Sequence, residues 1–445
     1  MIAFYKSLYL NKRLFMGLFV LVMLFIIGFA LPWMFMLSKL LLFIYFIIIV
    51  LDILMLYQRS ARGVFASRIC PERLSNGDYN DIYIYIENKY SFECQLKIID
   101  ETPFQFQYRK AHFDTFLLSN ESKKIHYQLR PTERGEYVFG ALNVYVTGRI
   151  GLITRRFQFD QQKMLPVYPS YLQMRKFELM AISNKLNEYG IKKLRKIGHS
   201  MEFEQIKNYV AGDDFRTINW KASSRRNELM VNHYSDEKSQ QVYNIIDKGR
   251  LMKMPFEGLS LLDYAINTAL VLSNIAIKKD DKAGLLTFNN QVETFVKADK
   301  QKIQMHRIQE ALYNQKTRFL ESDFQKLHVR LKNTLTQRSL LLIYTNFESV
   351  SSMRRQQDYL VTLSKSHVVV VIFFENTEVQ KIYDATAQTL EDIYIHTIAD
   401  KYVLEKKQIV KELKQRGIYS ILTSPKNLSV NTINKYLELK SKGVI

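Results

Sequence analysis

Two long apolar runs near the N-terminus constrain this chain more than any other feature. Residues 14–30, LFMGLFVLVMLFIIGFA, hold no charge, and residues 40–57, LLLFIYFIIIVLDILMLY, hold only Asp52. Each approaches the roughly 20 apolar residues that an α-helix needs to cross hydrocarbon. No small-residue cleavage site follows the first run and the second comes almost at once. The pair therefore reads as a transmembrane hairpin rather than a removable signal peptide. Lys6, Lys12 and Arg13 precede the first span and Arg59, Arg62 and Arg68 follow the second, while the connection around Leu31–Lys39 carries only Lys39. That bias places both termini and everything after residue 60 on the cytoplasmic side of the cell (inner) membrane. Asp52 lies near the inner end of its span. It is expected to reach the interface or pair near Arg59, with a helix-packing or functional role as the alternative.

The 445 residues leave room for two or three domains beyond the hairpin of residues 1–60. A formal net charge of +20 favours acidic partners: anionic lipid head groups, nucleic acid or an acidic protein surface. Attachment to the inner face of a membrane accounts for part of it. Cys70 and Cys94 stand in no metal or redox spacing and read as small apolar residues in a reducing compartment.

Residues 64–168 change to short alternating strands: Ile82, Ile84 and Ile86 share one face, and Tyr83 and Tyr85 the other. Comparable strands are expected at 94–99, 104–109, 123–129, 137–146 and 153–159, separated by Asn-Gly-Asp, Pro and Arg-Gly turns. The spacing predicts an antiparallel β-sandwich, and with no nucleophile–base or metal-ligand arrangement an interaction module is the default. Residues 171–200 read as a helix and a basic linker with Lys192, Lys193, Arg195 and Lys196, either a solvated tether or a lipid contact.

From 237 to 445 the pattern is α/β. Continuous apolar strands are expected at 241–247, 283–288, 339–345, 367–374 and 419–424, and helices at about 260–277, 300–313, 321–335, 352–365, 401–416 and 430–441. That alternation implies a parallel sheet covered on both faces, with 291–298 as an antiparallel edge.

Between the halves, residues 171–236 contain the clasp EFEQIKNYVAGDDFRTINWKASSRRNELMVNHYSD, from Glu202 to Asp236. Gly212-Asp213-Asp214 is a turn signal. Phe215, Ile218 and Trp220 are apolar anchors interleaved with Arg216, Lys221, Arg225 and Arg226, and Leu229, Val231 and His233 alternate as in a strand. The carboxylates either pair locally or form, with Arg216, a polar docking surface or site. Trp220 is either a buried anchor or a partner hot spot.

Glu202, Phe203, Tyr209, Gly212, Asp213, Asp214, Arg216, Trp220, Lys221, Ser223 and Arg225 together closely resemble the signature of the domain of unknown function 58 (DUF58) family, with Asn219 where the family usually has aspartate. Pro131, Arg134, Gly135 and Gly151-Leu152 are similar to its further turns, although Arg149-Ile150 replaces the usual proline and phenylalanine.

The C-terminal part resembles a von Willebrand factor A domain (Rossmann-like), whose metal site begins Asp-x-Ser-x-Ser and adds a threonine and an aspartate. Here Asp247 is followed by Lys248, Gly249, Arg250 and Leu251, so both serine positions lack an oxygen, and Asn346 stands where aspartate is usual. Lys248 and Arg250 add positive charge beside the pocket. The resemblance therefore implies a degenerate site with Asp247 and Asn346 as its candidates, Mg²⁺ being possible but not expected, and Asp247 capping Leu251 or a neighbouring amide.

No phosphate loop, Gly-x-Ser-x-Gly or His-Glu-x-x-His is present, and no nucleic-acid reader motif accompanies the charge. The resemblance implies a membrane-tethered, non-enzymatic adaptor or scaffold. It would work with a MoxR-type AAA+ ATPase and other von Willebrand factor A-like proteins in assembly or maintenance of membrane or envelope complexes. The alternatives are an enzyme, a hydrolase or transferase built on Asp213, Asp214 and Arg216, and a charge-driven binder of lipid surface or nucleic acid.

Overall fold

The first apolar run becomes helical at Asn11, whose side-chain oxygen accepts from the Lys12 amide at 2.8 Å. The computed structural model describes residues 2–58, 63–108, 111–159, 162–175, 201–211, 213–236, 239–384 and 389–445, in two compact units, Met1–Tyr168 and Pro169–Ile445.

The first unit opens with α1 (Ile2–Ser7), β1 (Leu8–Leu10), α2 (Lys12–Ala30) and α3 (Pro32–Tyr57). Only Leu31 separates the two long helices, so the second begins at Pro32 and not near residue 40. Proline at a first helical position is already set at a helical φ and lacks an amide that would go unpaired. Gly28 lets the turn close: a β-carbon there would come within 3.0 Å of the Phe35 backbone. Both helices are long and apolar enough to cross a membrane, and Phe15, Phe19, Ile26, Trp33, Phe43 and Phe46 are exposed on them.

The strands that follow are β2 (Val64–Ile69), β3 (Leu74–Ser75), β4 (Asn80–Asn88), β5 (Cys94–Asp100), β6 (His112–Leu117), β7 (Ser122–Leu129), β8 (Gly135–Phe139), β9 (Leu142–Thr147), β10 (Ile153–Phe159) and β11 (Lys163–Tyr168). They form three sheets, ordered β1-β10-β9-β5-β6, β3-β11-β8 and β2-β4-β7. Pairing is antiparallel except between β3 and β11. Inward residues such as Ile84, Leu96, Val144, Ile153 and Leu165 fill one core.

Two expected strands differ: one is absent and one is split. Residues 104–106 form a 3-10 turn between Pro103 and Gln107, which adopts φ 48°. The run 137–146 is two strands in different sheets. They break at Gly140, where a β-carbon would lie 2.5 Å from Glu101 Oε2.

The base of the helical pair is mated to this core. Asp52 is buried, and its Oδ2 accepts from the Leu152 and Ile153 amides, both at 3.0 Å. The Leu56 carbonyl accepts from Tyr90 Oη and Arg155 Nη1, each at 2.7 Å. Asp52 thus closes the β9–β10 turn; its expected partner Arg59 lies outside the described residues. Arg68 is no free surface charge either: it is buried against Asp100.

The second unit begins with residues 171–175 in helix; the remainder of the expected helix and the basic linker, 176–200, lie outside the described residues. A two-stranded ribbon follows, β12 (Met201–Asn208) and β13 (Met230–Asp236), with α4 (Trp220–Arg226) between its strands. Then come β14 (Gln241–Asp247), two short strands β15 (Pro255–Phe256) and β16 (Leu259–Ser260), α5 (Leu261–Lys278), β17 (Lys282–Phe288), β18 (Val292–Asp299), α6 (Ile303–Tyr313), α7 (Phe324–Thr334), β19 (Leu340–Tyr344), α8 (Val350–Ser366), β20 (Val368–Phe374), α9 (Thr377–Asp384), α10 (Leu390–Gln415), β21 (Tyr419–Thr423) and α11 (Leu428–Ser441).

The six-stranded sheet runs β18-β17-β14-β19-β20-β21, parallel except for the edge strand β18. Alternate residues feed two cores. Val242, Ile246, Leu340 and Leu342 pack toward α5 and α11, whereas Tyr243, Ile245, Leu341 and Ile343 pack toward α7, α8 and α10. The long α10 starts at Leu390 rather than 401, because Thr389 and Asp392 close a capping box there; α9 is a helix that periodicity did not indicate.

Candidate functional site

In chain order the sheet's strands run third, second, first, fourth, fifth, sixth. In such a sheet the crevice opens at the carboxyl ends, where the order reverses. Here that point lies between β14, which ends at Asp247, and β19, which leads into Thr345 and Asn346. A small cleft of about 70 Å³ sits there, lined among others by Asp247, Arg250, Ser322, Thr345, Asn346 and Arg355.

Asp247 is buried and fully engaged. Its Oδ1 accepts from the Gly249 amide at 2.7 Å and from Ser322 Oγ, and its Oδ2 accepts from Thr345 Oγ1 at 2.6 Å. Burial pushes its carboxyl above the ordinary range, against the lowering effect of these three donors. The expected capping of a neighbouring amide is realised at Gly249. Asn346 lines the cleft, but its oxygen is engaged by another group: its Oδ1 accepts from Lys406 Nζ at 2.9 Å, and the Phe347 carbonyl accepts from the same ammonium at 2.5 Å. Lys406 is itself buried, and desolvation pulls it down to about 8.

Of the two neighbouring cations, one differs from expectation. Lys248 is not beside the cleft; it is buried and donates to Glu293 and to Gln315 Oε1. Arg250 does line the cleft, with Glu321 and Glu348 at 3.5 and 3.6 Å.

These residues do not fit a resident Mg²⁺. An octahedral cation requires several oxygens held at one point. The cleft offers one buried carboxylate, which already accepts three hydrogen bonds, and two hydroxyls, while the Asn346 oxygen is taken by an ammonium. No group of three or more His, Cys, Asp or Glu side chains converges among the described residues.

The clasp is built from local hydrogen bonds. Asp213 accepts from the Val210 amide at 3.1 Å and from Lys207 Nζ at 3.2 Å. Asp214 caps a 3-10 turn through the Arg216 amide at 3.0 Å. Asn219 caps α4 through the Ala222 amide at 3.0 Å and donates to Asn232 Oδ1 at 2.8 Å. A carboxylate could not make that donation. Ser223 ties α4 to β13 through the Met230 amide at 2.8 Å, and the Tyr209 amide donates to the Leu229 carbonyl at 2.8 Å. Gly212 and the side chains of Glu202 and Phe203 lie outside the described residues.

Asp213 and Asp214 therefore serve the backbone, and neither they nor Arg216 line the Asp247 cleft. Trp220 is not a buried anchor: it and Phe215 are each 70% exposed, and Arg216, Lys221, Arg225 and Arg226 are exposed around them.

Residues 205–394 match the family model described as "Protein of unknown function DUF58". The chain carries a DUF58 family domain. Over 176 residues it is 26% identical to the "Uncharacterized protein YeaD" of Bacillus subtilis (strain 168), a match covering 39% of this chain and 41% of that protein. The chain thus spans less than half the length of this relative. Among solved structures, the ASH / PapD-like domain 7 of human CEP192 overlaps 24% of this chain and 86% of its own, at 14% identity and a TM-score of 0.19. The CARDB domain of the PF1109 protein from Pyrococcus furiosus overlaps 23% of this chain and 86% of its own, at 11% identity and a TM-score of 0.17.

The DUF58 domain joins the clasp and the Asp247 cleft in one stretch of sequence. Ser322 and Thr345 complete the polar cluster, and sequence reasoning missed both as partners of Asp247. They lie 75 and 98 residues away, and no local pattern marks them. Lys406 was also missed. Its one local sign is a lysine at a core-facing position of α10, between Tyr402 and Ile409.

Proposed function

We propose that this chain is a membrane-tethered, non-enzymatic interaction protein whose clasp is the docking face. One observation carries the reading: Phe215 and Trp220 are each 70% exposed beside Arg216, Lys221, Arg225 and Arg226, which hold no ion pair among the described residues. Apolar aromatics ringed by unpaired cations are costly to leave in water and match a partner surface that is apolar at its centre and acidic at its rim. The cleft at the strand ends supports the same view, since its carboxylate is consumed by internal hydrogen bonds.

The finer reading takes the C-terminal fold as von Willebrand factor A-like with a degenerate cation pocket. The sheet order, the antiparallel edge strand and the position of Asp247 at the switch point support it. The family resemblance suggests a MoxR-type AAA+ ATPase as the partner, on membrane or envelope complexes. The two apolar helices would hold the chain in the inner membrane with both termini and the soluble parts in the cytoplasm.

Affinity purification of the full chain from membranes should recover the ATPase, and Phe215→Ser/Trp220→Ser should lose it. Unchanged recovery would remove the clasp from this role. Protease added to intact spheroplasts should leave residues beyond 240 uncut; cleavage there would overturn the orientation.

A further inference from the structure

The first half of α10 carries a second unpartnered surface. Leu390, Tyr394 and Ile398 are 75%, 67% and 70% exposed, and Leu404 is 61% exposed. Residues 390, 394 and 398 recur at helical spacing, so they form one apolar stripe. Between 390 and 405 that stripe is accompanied by Glu391, Asp392, Asp400 and Glu405 against the single Lys401. Such acids oppose contact with an anionic lipid surface. They call for a basic protein face.

The clasp supplies that face. Trp220–Arg226 carries Lys221, Arg225 and Arg226 with no acid, and adds the exposed rings of Trp220 and Phe215. The two surfaces are opposite in charge and alike in apolar content. Within one copy both are exposed, so they do not cover each other.

We propose that the clasp of one copy docks on the Leu390–Leu404 stretch of a second copy, and the reverse, in a two-fold dimer. Each copy contributes one clasp and one helix, so two contacts close the assembly with no surface left over. Arg225 and Arg226 face Glu391 and Asp392, and Trp220 and Phe215 pack against the apolar stripe. This rests on the clasp being a docking face: it names a second copy as that face's occupant, and the ATPase is then recruited by the assembled dimer, so clasp variants lose it through loss of the dimer.

The test uses the full chain in detergent or nanodiscs, with mass measured by light scattering across a concentration series. The wild type should be dimeric. Arg225→Glu and Glu391→Lys should each weaken the dimer at least tenfold, and combining the two should restore it. Circular dichroism keeps the outcomes separable from misfolding, because these positions are all exposed. A monomer at every concentration, a dimer that survives either reversal, or a combined variant that stays monomeric would overturn the proposal. If Phe215→Ser/Trp220→Ser loses the ATPase while the mass remains dimeric, the clasp serves another protein. Self-association through it then fails while the adaptor reading stands.

Discussion

Thr345 donates from Oγ1 to Asp247 Oδ2 at 2.6 Å, joining residues 98 positions apart at the point where the sheet reverses its order. Together with Ser322 and the Gly249 amide it leaves Asp247 with no oxygen uncommitted. Asp247→Ala strands the buried Gly249 amide and Thr345 hydroxyl and the half-buried Ser322 hydroxyl, each costing on the order of 1 kcal/mol or more when unpaired. The variant should lose roughly 3 kcal/mol of stability, read as a lower denaturation midpoint, whereas Thr345→Val should lose less.

The same engagement bears on metal binding. Calorimetric titration of the full chain with Mg²⁺ should show no micromolar site. Micromolar heat that disappears in Asp247→Ala would show that the donors can reorganise around a cation.

Lys406 gives a pH dependence of definite sign. In the fold desolvation holds its ammonium at about 8, against an ordinary value of 10.5. Between those values the unfolded chain holds the proton and the folded chain does not. Stability therefore rises with pH across that window and reaches its low plateau below about 8, a swing on the order of 3 kcal/mol. The melting temperature of wild type, measured relative to Lys406→Met, should climb between pH 8 and 10; parallel curves would contradict this.

Asp52 serves the first unit as a staple between the helical pair and the sheets. Asp52→Ala removes the shared acceptor of the Leu152 and Ile153 amides and should cost about 2 kcal/mol, whereas Asp52→Asn, which keeps an oxygen, should cost less. Faster proteolysis near residues 148–152 in the alanine variant is the expected readout.

Arg68 and Asp100 form a buried pair, joined by Tyr127 and by the Gly140 carbonyl at 3.0 Å. Removing one member leaves the other charge buried alone. Asp100→Ala should therefore destabilise the chain by about 3–5 kcal/mol, far more than Arg149→Ala at the exposed Glu93 pair. Denaturant unfolding distinguishes the two.

Local pattern and distant contact divide what could be read from this chain. The two apolar runs, the alternation at 82–86 and the continuous apolar strands between 241 and 374 were legible, because side-chain periodicity is a property of neighbours along the chain. The helix start at Thr389 was legible in principle from its capping box, but the break at Gly140 was not. There a glycine is required only because Glu101, just past the end of β5, crosses it.

The residues alone determined that the chain has two helices long and apolar enough to cross a membrane, a sheet-rich part and an α/β part, and they marked Asp247 as the end of the first α/β strand. Only the tertiary structure decided which groups meet. It brought Ser322 and Thr345 to Asp247, turned Asn346 to Lys406, moved Lys248 to Glu293, placed Asp52 under the β9–β10 turn and left Trp220 exposed. The reason is that burial and partnership depend on where strand order and helix packing bring residues that are tens of positions apart, and composition and spacing carry no record of that.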